Sequence, residues 1–326
     1  MGKPLRASLP LCAVWIALAV SAADASAQSY PAKPVRMLVG YAPGGGTDVT
    51  ARIVAQKLTV ALGQQVIVEN RTGAAATIAA ERVATSPPDG YTLLMMAAAD
   101  SAQPALRKLA YDLQRDLAPI SLVVTGPAYV LVIHPSVPAR NVRELVVLAR
   151  SKPGQLNYAS SGVGSQAHLA GELFNAMGKV TMLHVPFKII TEATLAVVNG
   201  DVFMGFPSVP AVLPLAESGK LKALAVTSAK RASVLPSVPT LDESGFRGYN
   251  RSGWYGVLGP AAMPKTIVAQ LNAAIGKVVN TSEVKQAFGK QGLQAQTSTP
   301  EQFGAVIREE VVQSAKLIKM AGVKPE

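Results

Sequence analysis

Short apolar runs alternate with amphipathic stretches along this chain. Val35-Arg36-Met37-Leu38-Val39 reads as a buried strand, and after it Val49, Ile53, Val54, Leu58 and Leu62 recur at helical spacing and give one apolar face. Residues 66–69 predict a second strand and 74–84 an alanine-rich helix. Residues 91–96 predict a strand after the Asp89-Gly90 turn, and 117–124 a strand leading out of this first series. A second series opens with a strand at 129–133 and a helix at 141–150, whose Asn141 and Glu144 stand at capping-box spacing. It continues with strands at 156–159, 182–185, 202–206 and 221–227, separated by helices at 166–177, 191–199 and 209–218, two of which stop at Gly178 and Gly200. A third group has a strand at 254–258 and helices at 264–280 and 300–321. Thr299 caps the last helix, with Pro300 at its first position and Gln302 closing the box. Strand and helix alternate throughout, so the chain is α/β. Residues 236–253, rich in Pro and Gly, are a candidate crossing between lobes.

The junction at 44–48 concentrates the chemistry. Gly44-Gly45-Gly46 has no use inside a helix or strand; it permits positive φ and leaves backbone N–H groups uncovered. Thr47 or Asp48 supplies an oxygen to cap the helix that follows. Strand, glycine loop and helix start together form an anion site, from exposed amides and the positive end of the helix dipole. A phosphate loop would end in Gly-Lys-Ser/Thr, and a dinucleotide loop needs G-x-G-x-x-G; neither is present, so carboxylate is the preferred anion, against the alternative of a glycine turn that binds nothing. The arrangement recurs at Ser160-Ser161-Gly162-Val163-Gly164-Ser165, between a strand and the helix from 166.

Composition narrows the class. The chain has 326 residues, 49% hydrophobic and 16% charged, enough for two cores. Lys3 and Arg6, the apolar run 9–20 and Ala25-Ser26-Ala27 predict a cleavable export signal over residues 1–27, and no later run reaches membrane-span length. The single cysteine, Cys12, falls inside that signal behind Leu11, so no lipid anchor, disulfide or thiol chemistry is expected. Formal charge is +11, and loss of Lys3, Arg6 and Asp24 leaves +10. The Lys and Arg are dispersed and aromatics are only 5%, so nucleic acid is excluded as a partner. Ser160, Ser161, Ser165 and His168 suggest nucleophilic catalysis, but G-x-S-x-G spacing is missing and no carboxylate stands near to orient His168. Three scattered histidines and no clustered carboxylates give no metal site and no cofactor site. Asp48 reads as a structural cap and His168 as a hydrogen-bonded packing residue. Tyr41 and Phe187 read either as cleft walls or as core.

The motifs Tyr41-Ala42-Pro43-Gly44-Gly45-Gly46-Thr47-Asp48 with Ala51-Arg52, Glu69-Asn70-Arg71, Asp89-Gly90-Tyr91-Thr92-Leu93-Leu94, the 158–165 run with His168-Leu169, His184-Val185-Pro186-Phe187-Lys188, Leu224-Ala225-Val226-Thr227-Ser228 and Pro236-Ser237-Val238-Pro239-Thr240 resemble, in order and spacing, the Bug family of extracytoplasmic solute receptors of tripartite tricarboxylate transporters. The resemblance implies a monomeric, non-enzymatic periplasmic binding protein of the two-lobed type 2, or Venus flytrap, form, each lobe a mixed sheet flanked by helices. One lobe would hold residues 28–127 with 251–326, the other 128–250. It implies a small carboxylate bound in the cleft, largely by backbone amides, and the membrane components of the transporter as partners. The alternatives are a sensor signalling to a kinase and, more remotely, a serine hydrolase. The expected binding set is Tyr41, Gly44, Gly45, Gly46, Thr47, Asp48, Ala98, Asp100, Ser160, Ser161, Gly162, Ser165, His168, Phe187, Ile189 and Phe206. The chain departs from its family at Ile189-Ile190, where a glycine and a small residue are usual, at Phe203, and at Ala98-Ala99-Asp100. A branched side chain at Ile189 predicts a ligand with one firmly held carboxylate and an apolar or aromatic remainder, and poor binding of citrate.

Overall fold

The computed structural model describes residues 2, 30–126, 129–320 and 322–323, so the predicted export signal with Cys12 lies outside the described residues. The elements in chain order begin with β1 (Val35–Val39), α1 (Gly46–Leu62), β2 (Val66–Asn70), α2 (Thr77–Ala84), β3 (Thr92–Ala97), α3 (Gln103–Leu106) and β4 (Leu117–Thr125). The second series is β5 (Val130–Ile133), α4 (Val142–Ser151), β6 (Asn157–Ser160), α5 (Gln166–Gly178), β7 (Leu183–Pro186), α6 (Ile190–Val198), β8 (Met204–Gly205), α7 (Val209–Glu217) and β9 (Lys222–Val226). Then come β10 (Trp254–Pro260), α8 (Lys265–Val279), α9 (Ser282–Gly289), β11 (Gln294–Ala295) and α10 (Pro300–Met320).

Two mixed sheets make two lobes. The first has the order β11-β4-β10-β3-β1-β2 and the second β7-β6-β8-β5-β9. β1 runs parallel to β2 and β3, and β6 parallel to β7 and β8; β10 and β5 run antiparallel to their neighbours. Successive residues of a strand point to opposite faces, so β1 feeds two cores. Val35, Met37 and Val39 pack with Val54, Ala55 and Leu58 of α1. Leu38 packs on the other face with Ala79, Ala80 and Val83 of α2 and with Phe303 and Ile307 of α10. Each such side chain contributes about 1.5–3 kcal/mol by leaving water.

Local signals decided several ends correctly. Asn141 Oδ1 accepts from Glu144 N (2.9 Å), and Thr299 and Gln302 bond reciprocally, 2.9 and 3.2 Å. Others need correction. Gly45, not Thr47 or Asp48, is the N-cap of α1, and no side chain caps it. α5 runs through Gly178, and the left-handed residue that ends it is Lys179. The helix expected from residue 74 starts at Thr77, because Ala74, Ala75 and Ala76 form a left-handed turn with φ of 44°, 53° and 71°. A Cβ at such angles crowds the following carbonyl, at about 1–2 kcal/mol per residue. Ala75 is exposed, so Ala75→Gly sacrifices no packing. Net of the larger unfolded-state entropy of glycine, we expect a gain of about 0.5–1 kcal/mol. Calorimetry should show a raised melting temperature, and a lowered one would mean that the turn carries no strain.

The chain crosses between the lobes after β4 and again near residue 251. The crossings are tied side by side: Gly126 N donates to Gly253 O (2.9 Å), Arg251 N to Thr227 O (2.8 Å), and Thr227 N to Tyr129 O (2.9 Å). α10 reinforces the seam, since its Leu317 and Ile318 share a small core with Ala102 and Leu106 of the first lobe and Leu169 of the second.

Candidate functional site

In both lobes the glycine-bearing loops leave the carboxyl ends of parallel strands, the position where α/β sheets bind ligands. The first loop follows β1. Residues 42–46 are exposed, and Gly44 adopts φ +81°, whereas Gly45 is extended at −72°. Val49 N already donates to Gly45 O, which leaves the amides of Gly46, Thr47 and Asp48 without a partner among the described residues. Gly46 is held close: a Cβ there would lie 2.7 Å from Tyr255 Oη, and Tyr255 hydrogen-bonds the Thr47 side chain.

Asp48 does not oppose an anion here. Burial works against its charge, but Arg52, the Gly44 amide (2.9 Å) and Asn70 (2.8 Å) outweigh burial and hold its pKa below the ordinary value. Its Oδ1 also pairs with Arg52 Nη2 at 2.9 Å, so its field is answered locally. Asp100 is the contrasting carboxyl. It is buried, receives Tyr41 Oη on Oδ1 and the Ala97 amide on Oδ2 (3.0 Å), and burial pushes its pKa up to about 7. Burial raises the pKa of Tyr41, with Asp100 adding to it, that of Tyr129, and that of Tyr255 to about 12. All three phenols are therefore neutral, and Tyr41 lies close enough to Tyr129 and Tyr255 to interact with both.

The second loop follows β6. Gly162 N donates to Ser160 Oγ (3.0 Å), Gly164 N to His168 Nδ1 (3.1 Å), and Ser165 Oγ caps α5 by accepting from His168 N (3.2 Å). Phe187 N donates to Ser160 O (2.9 Å), which sets residues 187–189 beside the loop. The loop presses on the first lobe: a Cβ at Gly164 would fall 2.1 Å from Leu106 Cδ1. Ser161 and Gly162 are half-exposed, Phe187 is half-buried and Ile189 is 48% exposed; Ile190, not Ile189, enters the core.

Beneath this loop Ser160 Oγ lies 2.6 Å from His184 Nε2, and the His184 ring is tilted 33° against that of His168 with ring centres 4.2 Å apart. Burial lowers both imidazoles to about 4, aided for His168 by its neighbour, so both are neutral. The Ser–His pair resembles a nucleophile and its base. Ser160 is fully buried, however, and its oxygen is engaged by the Gly162 amide, so no substrate carbonyl can reach it. Besides Thr47, Asp48 and Asp100, three further members of the expected set are also enclosed. Ala98 and His168 are 2% and 3% exposed, and Phe206 lies in the second core, edge-on to Phe174. Their side chains support the loops from behind.

Sequence reasoning missed Tyr129, Tyr255, Gln166 and Arg251. Arg251 is buried at the crossing, where its guanidinium donates to Gln166 Oε1 (2.7 Å) and pairs with Glu310 (3.1 Å), joining both lobes to α10. Ser101 Oγ, Gln103 Oε1, Gln166 Nε2 and Arg251 Nε are buried without a partner among the described residues. The only available signals were a tyrosine opening an apolar strand and an arginine inside a Pro/Gly-rich crossing.

Comparison with known proteins agrees with this architecture. The family described as "Tripartite tricarboxylate transporter family receptor" matches residues 50–323. Protein BugT of Bordetella pertussis is 35% identical over 319 residues, which cover 97% of this chain and 98% of BugT. The structure of R. palustris Rpa4515 with adipate superposes with a TM-score of 0.83 at 31% identity, covering 91% of this chain and all of that one. MatC from Rhodopseudomonas palustris with bound malate gives 0.79 at 31%, covering 89% and 100%. This chain belongs to the Bug-type receptor family of tripartite tricarboxylate transporters.

Proposed function

We infer that the protein is a periplasmic receptor that encloses a small carboxylate between its lobes and delivers it to the membrane components of a tripartite tricarboxylate transporter. The observation that carries this is the pair of loops, residues 44–48 in one lobe and 160–165 in the other, each at the carboxyl end of a parallel strand and each opening a helix. Relatives of the same fold hold adipate and malate. In this proposal residues 1–27 direct export, residues 28–127 with 251–326 form one lobe, and 128–250 form the other. The chain has no catalytic role. Among the described residues no helix is long and apolar enough to cross a membrane. The amides of Gly46, Thr47 and Asp48 and the Ser161 hydroxyl hold the carboxylate, bordered by Tyr41, whose phenol donates to Asp100, and by Gly162, whose amide donates to Ser160.

Val163 (38% exposed), Phe187 and Ile189 give the second loop an apolar border. The ligand is accordingly a carboxylate with an apolar body. Covering what remains exposed of Ile189 is worth about 0.7–1.5 kcal/mol, half of a full burial. Calorimetry with phenylacetate, malate and citrate tests this on the parent and Ile189→Gly. The parent should prefer phenylacetate, and the variant should lose about tenfold for it while hardly changing for malate. Tight citrate binding that the substitution leaves untouched would sink the assignment.

A further inference from the structure

α2 covers β1 and β3 but stops short of the sheet edge, and a groove opens between it and edge strand β2. A cavity of about 290 Å³ there is lined by Arg36, Arg71, Ile78 and Arg82. Ile67 on β2 and Ile78 on α2 are 42% and 48% exposed beside it. One carboxylate serves two of the three guanidinium groups: Glu69 takes Arg36 through two bonds, 2.6 and 2.8 Å, and Arg71 through one, 3.0 Å. Arg82 forms no ion pair among the described residues and is exposed. Among the described residues the far edge of β2 pairs with no strand.

We propose that this groove is where the receptor docks an extended, acidic segment of the transporter's membrane component, a role that rests on the delivery function inferred above. An extended segment can add to the free edge of β2 through its backbone, as strands added to sheet edges do, and set an apolar side chain against Ile67 and Ile78. Its carboxylates meet Arg71 and Arg82, whose planar guanidinium groups suit paired bonds to carboxylate. A lone small anion would gain little there, because these side chains are solvated and screened. A second copy of this chain is disfavoured by its own charge of +11. The surface lies on the first lobe, outside both glycine loops, so docking and ligand capture can occur together.

The test uses fluorescently labelled receptor and membrane vesicles with the periplasmic face outward, made from cells with and without the transporter's membrane subunits. The parent should sediment with the subunit-bearing vesicles and be released as salt rises from 50 to 500 mM. The R71E/R82E double variant should bind them at least tenfold more weakly, R71K/R82K only a few-fold, with melting temperature and malate-induced thermal shift unchanged in both. Equal binding by R71E/R82E and the parent overturns the groove while leaving the delivery function standing. Equal binding of the parent to vesicles lacking the subunits overturns the delivery function itself. Equal binding to protein-free phosphatidylglycerol vesicles would make the groove a lipid-binding surface and overturn the protein partner.

Discussion

Gly46→Val should weaken carboxylate binding by two orders of magnitude or more. The added Cβ would stand 2.7 Å from Tyr255 Oη, so either the phenol or the helix start must move. Tyr255 also holds Thr47, which means that the amides of Gly46, Thr47 and Asp48 lose their common direction together. Hydrogen bonds to a charged group contribute about 1.5–3 kcal/mol each, and losing the alignment of two of them gives the stated factor. Gly45→Ala is the control. Gly45 is extended at −72°, and its Cβ would meet only Ala42 O at 3.3 Å, so binding should change no more than about threefold, within the cost of a small shift. Isothermal calorimetry with malate on both variants, with circular dichroism confirming the fold, separates them. Parent-like affinity in Gly46→Val would mean that residues 44–48 do not hold the ligand.

The contrast between these glycines shows what the sequence could reveal. Three consecutive glycines between a strand and a helical pattern located the loop, because strand, loop and helix are each written in adjacent residues. Which glycine tolerates a side chain depends on Tyr255, which is distant in sequence. The same division holds elsewhere. The caps at Asn141 and Thr299 were legible since donor and acceptor lie three residues apart. The Gln166–Arg251–Glu310 bridge was not, because it joins three separate segments across the seam. The alternation of strand and helix announced α/β layers, but antiparallel β10 entering the first sheet depends on the return crossing. Ala74, Ala75 and Ala76 favour a helix by propensity, and tertiary packing of Ala76 against Gly40 overrides it. Phe206 stood in the expected binding set, whereas it fills the core with Phe174.

Acid should destabilise the protein from about pH 6.5 downward, well above the range where ordinary carboxylates titrate. His168 and His184 are neutral in the fold, held to about 4 by burial, and return to about 6.5 when the chain unfolds. A pKa lowered in the folded state means that the unfolded chain binds the proton first. The stability these two groups support is therefore complete above about 6.5 and is lost as pH falls from there through about 4. Two such protons set a limiting slope of about 2.7 kcal/mol per pH unit. Asp100 acts in the opposite sense. Its folded pKa of about 7 exceeds its unfolded value of about 3.9, so its contribution is complete below about 3.9 and is lost as pH rises through 7. Glu172, raised by burial beside Tyr158, acts in the same sense as Asp100. Between pH 6.5 and 4 the proton taken up by folded Asp100 offsets one of the two taken up by the unfolded histidines. The parent slope should then lie well under the two-proton limit, and Asp100→Asn should steepen it by up to about 1.4 kcal/mol per pH unit. Urea unfolding at half-unit steps from pH 7 to 4.5 measures both. A profile that stays flat in the Asp100→Asn, Glu172→Gln double variant, where neither carboxyl can offset them, would show that the two histidines are not held neutral beneath the second loop. A slope unchanged by Asp100→Asn would show that Asp100 is already ionised behind Tyr41.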